Sequence, residues 1–161
     1  MSDPRQFRDA LGAFATGVTV ITTRDAAGRD VGRTANSFSS VSLSPPMVLW
    51  SLARASASHA AFHDATHFAV HVLSAEQADL SARFAGKAED KFAGLTVARG
   101  AAGIPLLHGC TARFECVTRH RYDGGDHVIF VAEVLDFTHD PAPPLLFHGG
   151  RYGGLGQAEP V

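Results

Sequence analysis

The sequence has little of what would commit it to a specialised environment. Only two of its 161 residues are cysteines, Cys110 and Cys116. Both fall in what reads as one strand, where roughly 3.3 Å per residue sets them about 20 Å apart, beyond the reach of a disulfide. Two free thiols are expected, buried as small apolar side chains on one strand face. No apolar run approaches the roughly 20 residues that cross a bilayer. The start, Met1-Ser2-Asp3-Pro4-Arg5, lacks the charged-then-apolar pattern of an export signal. The expectation is a cytoplasmic protein with no membrane role. Neither sign of charge dominates, with 14 Lys and Arg against 16 Asp and Glu and a formal balance of −2, so no basic field is available for nucleic acid. Zinc-protease, nucleophile-elbow and phosphate-loop motifs are missing, and Gly86-Lys87 lacks the upstream glycine that a phosphate loop needs. No Gly-x-Gly-x-x-Gly opens a strand-helix unit, which excludes a dinucleotide-binding domain of that type.

What is present is an ordinary globular composition, 45% hydrophobic and 19% charged, in a chain long enough for one core. A single domain spanning 1–161 is expected, its core at about 7–155, with a short flexible tail. Asp3-Pro4 sets a helix start, and Phe7, Leu11 and Phe14 follow on one face, as in a helix that packs. From Gly17 the period changes to two, through Val18, Val20 and Thr22, into a hairpin turn at Asp25–Gly28. Ser56 to Ala65 reads as a short helix, 68–73 as a strand, and Ser74 with Gln77 as a capping box that opens a helix to about Phe84. Residues 96–109 read as loop. Two long strands, 111–121 and 127–138, are joined by the turn Tyr122–Asp126, and a last strand covers 145–147. About seven strands without regular strand-helix alternation predict a mainly β chain with short helices, folded as an antiparallel barrel. His59, His63, His67 and His71 recur every fourth residue, but a helix cannot run through the strand at 68–73, so no metal site is expected.

The stretch from Gly32 to Leu52 organises the rest. It begins as an alternating strand, passes into small polar residues, stops at Pro45-Pro46 and resumes as the apolar strand Met47–Leu52. Thr34, Asn36, Ser37, Ser39 and Ser40 offer little apolar area. They suit either a polar pocket for a planar anionic ligand or a plain Ser/Thr-rich loop between strands.

Several segments resemble the short-chain flavin reductases: Phe-Ala-Thr-Gly-Val-Thr-Val-Ile-Thr-Thr (14–23), Thr-Ala-Asn-Ser-Phe-Ser-Ser-Val-Ser-Leu-Ser-Pro-Pro (34–46), Phe-Ala-Val-His-Val-Leu (68–73), Gly-Asp-His (125–127) and Gly-Gly-Arg-Tyr-Gly-Gly-Leu (149–155). Their order and spacing cover residues 7–155. The resemblance implies an FMN-binding split barrel of Greek-key type that transfers a hydride from NADH or NADPH to FMN or FAD. Such a protein supplies reduced flavin to a separate monooxygenase and is usually a homodimer. By position, Thr34, Ala35, Asn36 and Ser37 would lie along the flavin ring and ribityl chain, Ser51 and Leu52 on the next strand, Ser58 and His59 near the phosphate, and Arg83 at the phosphate or adenylate end. His127 and Tyr152 would contact the nicotinamide. No catalytic acid or base is implied, because hydride transfer needs two rings held face to face. The residues alone leave Ser58 open as a simple N-cap, Arg83 as a solvated helix-end charge and Tyr152 as a stray aromatic in a mobile tail. A flavin-retaining oxidase and a non-catalytic flavin carrier are the rival readings.

Overall fold

The computed structural model describes residues 3–157 and 159–161. In chain order the elements are α1 (Pro4–Gly12), β1 (Thr16–Gly17), β2 (Thr19–Arg24), β3 (Asp30–Ala35), β4 (Ser39–Leu43) and β5 (Pro46–Ala53). Then come α2 (His59–Asp64), β6 (His67–Val72), α3 (Ala78–Ala85), β7 (Ala98–Arg99), β8 (Pro105–Leu106), β9 (Ala112–Gly124), β10 (His127–His139), β11 (Leu146–His148) and β12 (Arg151–Gly153). Local chemistry sets the boundaries. The Asp3 carboxylate caps α1 by accepting from the Arg5 amide at 2.9 Å, with Pro4 in the first turn. The β2–β3 turn closes on Asp25, which accepts from the amides of Ala27 and Arg29, while Gly28 takes a φ of +79°. The Ser74 amide donates to the Gln77 side chain at 3.0 Å, the capping box expected ahead of α3.

Seven strands form one antiparallel sheet in the order β3-β2-β6-β9-β10-β5-β4. The two edge strands, β3 and β4, are consecutive in the chain and joined only through 36–38. A connection that short reaches on the order of 10 Å, so the sheet has to curl until its edges face each other. The edges approach without pairing, and the result is a barrel split along one seam. Its interior is filled by Trp50, stacked on Phe130 at 5.2 Å and edge-on to Phe62 and Phe68, with Ile21, Val70 and Val128 around them. A second cluster of Val18, Val20, Leu73, Phe84, Leu107 and Leu145 lies beneath α3. Gly32 lets α3 sit this close, because a Cβ there would come within 2.5 Å of the Phe84 ring.

Four expectations need correction. Residues 39–43 form a strand, since the pairs Ser39–Leu49 and Leu43–Pro46 extend the sheet by one hairpin whose turn holds the cis Ser44–Pro45 bond. The alternative that Tyr152 is a stray aromatic in a mobile tail does not hold: β12 (Arg151–Gly153) pairs with β11, which pairs in turn with β1. The apolar stripe of α1 and the residues after it stays largely exposed in the single chain, with Phe7, Leu11 and Phe14 at 60%, 59% and 79% exposure. Cys110 precedes β9 and packs with the second cluster, whereas Cys116 lies inside the barrel, so the two share no strand face.

Candidate functional site

The polar stretch 34–37 lies at the seam of the barrel, where β3 ends and the chain crosses to β4. Much of its side-chain chemistry is already spent. Thr34 Oγ1 donates to the Ser81 carbonyl of α3 at 2.6 Å, and the Ala35 carbonyl accepts from Thr19 Oγ1 at 2.6 Å. Ser37 Oγ accepts from the Ser51 amide at 2.9 Å and donates to the Ser51 carbonyl at 3.0 Å. Beyond the last backbone pair of β4 and β5, a hydroxyl thus takes over the ladder's work and pins the seam. Asn36 is exposed between these two anchors. Ser51 is half-buried, paired across the sheet with Ile129, while Leu52 turns its side chain into the core and could face a ligand only through its backbone.

Past β5 the chain reaches Ser56–His59. Ser56 Oγ lies 3.0 Å from Ser58 Oγ and accepts from the Ser58 amide, and Ser58 precedes α2 without capping it by its side chain. His59 stacks on His63 at 5.5 Å, and its Nε2 is buried with no hydrogen-bond partner among the described residues. The four-residue histidine spacing is broken as expected, because α2 ends at Asp64 and His67 and His71 belong to β6.

Arg83 is neither a free phosphate ligand nor a solvated charge. Its Nε donates to the Lys91 carbonyl at 2.7 Å and its Nη2 to the Ala93 carbonyl, which ties α3 to the 91–93 segment. These contacts use two of its five N–H donors and leave three free. Arg33, beside Thr34, is half-buried and forms no ion pair among the described residues. Burial first, and then the nearby Arg33 charge, hold the Lys91 ammonium below its ordinary range.

His127 opens β10 opposite Ala53 of β5. Its Nδ1 lies 2.6 Å from Asp126 Oδ1, and the hydrogen bond from His127 holds the Asp126 carboxyl below the usual carboxylate range. Arg54, which carried no signal in the sequence, grips this turn: its backbone amide donates to the Asp126 carbonyl at 2.9 Å, Nε to the Gly125 carbonyl at 3.1 Å and Nη2 to Asp123 Oδ1 at 2.6 Å. Tyr152 is held in β12, edge-on to Phe147, with its hydroxyl 2.7 Å from Ser81 Oγ. Ser81, fully buried, was also missed. It joins Tyr152 through its hydroxyl and Thr34 through its carbonyl, so β12 and β3 are referenced to the same turn of α3.

The structure therefore gathers 34–37 and Ser51 at the seam, sets Ser58, His59 and His127 past the end of β5, and links Tyr152 to Thr34 through α3. Two cavities of about 210 and 340 Å3 lie elsewhere, beside Thr23, Asp64 and His67 and beside Gln77, Leu95 and His108. At the seam, Asn36 offers an exposed amide, whereas the hydroxyls of Thr34 and Ser37 and the guanidinium of Arg83 are partly engaged within the fold.

Residues 11–156 match the flavin reductase like domain. The chain is 52% identical over 151 residues to the FMN reductase (NADH) SmoA of Agrobacterium fabrum, covering 92% of this chain and 84% of that one. It is 44% identical over 148 residues to the reductase component of the flavin-dependent trigonelline monooxygenase of Acinetobacter baylyi, covering 92% of this chain but about half, 48%, of that longer protein. The solved NADH:FAD oxidoreductase SgcE6 of Streptomyces globisporus, in complex with NAD and FAD fragments, superposes with a TM-score of 0.89 at 40% identity, over 97% of this chain and 96% of that one.

Proposed function

The chain belongs to the flavin reductase like domain family, and on that premise we propose that it uses NADH or NADPH to reduce FMN or FAD and releases the reduced flavin to a partner monooxygenase. The observation that carries this reading is the seam: small polar residues line the place where the barrel edges meet, with the Gly-Asp-His turn beyond the end of β5. A hydride passes from the nicotinamide to the flavin, and the protein's part is to hold two rings parallel. Asn36 and the backbone of 35–37 border the flavin ring. Ser51 lies beside it, and Ser58 with His59 stands at the phosphate end. Arg33 of β3 and the remaining donors of Arg83 on α3 are the cations offered to that end. His127 holds the nicotinamide from the far side, its ring orientation set by Asp126. Tyr152 borders the same space with its ring, because its hydroxyl is engaged by Ser81.

A homodimer completes this reading. The apolar face of α1 is largely exposed, and Leu49, Ile129 and Val131 stay half-exposed on the outer face of β5 and β10. A second copy of the chain would cover these surfaces and wall the cleft. The activity is tested by mixing purified protein with NADH and following the nicotinamide absorbance with and without added FMN or FAD. Oxidation of NADH only when flavin is supplied is the expected outcome, and an equal rate without flavin would refute release of a diffusible flavin.

A further inference from the structure

The β9–β10 turn is fixed by a residue outside its own hairpin. Arg54, the first residue after β5, reaches three residues in and beside that turn with three donors: the Asp123 carboxylate, the Gly125 carbonyl and the Asp126 carbonyl. Asp126 in turn holds His127 Nδ1 at 2.6 Å. The ladder itself runs up to a two-residue turn, with Gly124 paired to His127 and Gly125 at a φ of +78°, but the side chains of Asp123 and Asp126 are 81% and 95% exposed, so packing does little to orient them. Register brings Arg54 within reach, because Ala53 pairs with His127 across the two strands and places the following residue against the turn.

We propose that Arg54 is a positioning residue for nicotinamide binding: it acts through the Asp123–Asp126 turn to hold His127 at the mouth of the cleft. The inference rests on the assignment of His127 to the nicotinamide made above. Magnitudes separate this role from a stabilising one. An ion pair exposed at 47% and 81% contributes at most about 1 kcal/mol to folding. Losing the orientation of His127, by contrast, removes a contact made equally to bound substrate and transition state, which raises KM while leaving kcat in place. Lysine could keep one ionic contact but not the fork that spans Asp123 and Gly125.

The test is a double-mutant cycle of Arg54→Ala and His127→Ala in steady-state kinetics, with NADH and flavin varied in turn, alongside thermal unfolding of each variant. Arg54→Ala should raise the KM for NADH about fivefold and His127→Ala about tenfold, with kcat and the KM for flavin unchanged. In the His127→Ala background, Arg54→Ala should add nothing further. Asp123→Asn should move the KM for NADH in the same direction by less, and Arg54→Lys should restore only part of the loss. If His127→Ala leaves the KM for NADH unchanged, the assignment of His127 fails and the inference falls with it. If His127→Ala has its effect and Arg54→Ala has none, Arg54 is a surface ion pair only. Additive effects, or a rise in the KM for flavin, would show that Arg54 touches a ligand directly and would overturn the positioning role.

Discussion

His71 shows how a single residue ties stability to pH. It is fully buried, with Nδ1 3.0 Å from the Val20 carbonyl and Nε2 accepting from the Leu107 amide at 3.0 Å. A carbonyl can only accept, so Nδ1 carries the proton and the ring is neutral. Burial, reinforced by the nearby Arg113 charge and opposed by the bond to Val20, pushes its pKa down to about 4 from 6.5. A depressed value means that the unfolded chain takes up a proton the folded one refuses. The contribution is therefore complete above about pH 6.5 and is lost as pH falls toward 4, amounting to about 3 kcal/mol. Urea unfolding at a series of pH values should show this decline, and His71→Gln, which cannot titrate, should flatten it between pH 6.5 and 4.5 whatever its absolute stability. An unchanged slope would show that other groups govern the acid limb. In the sequence, His71 was one of four histidines at a regular spacing, and nothing local marked it as the bridge between β2 and the segment after β8.

At the scale of elements, the seam between β3 and β4 carries the clearest division between structure and function. Ser37 holds both backbone groups of Ser51, whereas Asn36 is exposed beside it. Ser37→Ala leaves an amide and a carbonyl unpaired at the end of β5 and should cost about 1 to 3 kcal/mol in denaturant unfolding. Asn36→Ala should change stability by less than about 0.5 kcal/mol while weakening flavin binding in a fluorescence titration. Similar losses of stability in both variants would mean that 36–37 is simply a connection. The end of strand periodicity in a run of small polar residues marked where the chain crosses between the barrel edges, though on its own that run suited a plain loop as well as a pocket. The use of each side chain was not legible in the sequence: Thr34, Ser37 and Arg83 look identical on paper whether they face a ligand or a backbone carbonyl. The long hairpin of β9 and β10, the capping box at Ser74 and the antiparallel barrel were all readable from local periodicity and turn chemistry. Strand β12 was not, because a glycine-rich run carries no periodicity and Tyr152 finds Ser81 only through the tertiary fold. For the same reason Arg54 was silent, since its partners at 123–126 come near only once β5 and β10 are in register.

For the molecule as a whole, the structure bears on whether flavin stays or leaves. The interior of the barrel is filled by Trp50, Phe62, Phe68 and Phe130, all at or below 2% exposure, so the core owes nothing to a ligand at the seam. The side chains left for flavin are short and mostly neutral, Asn36, Ser51, Ser58 and His59, with Arg33 and the remaining donors of Arg83 the nearby cations. Neither cysteine is poised for covalent attachment, since burial raises both thiols, Cys110 to about 11 and Cys116 to about 12. Neutral hydrogen bonds contribute about 0.5 to 1.5 kcal/mol each after desolvation, and a few of them with ring stacking give a Kd on the order of micromolar. Binding of that strength allows release between turnovers. Gel filtration of flavin-loaded protein should therefore yield a colourless, folded apoprotein whose far-ultraviolet circular dichroism and unfolding midpoint in dilute buffer match those before loading, and whose activity returns with added flavin. A protein that keeps a full complement of flavin through this treatment, or unfolds when it is removed, would instead be a flavin-retaining oxidase or carrier with a site that the seam side chains alone do not account for.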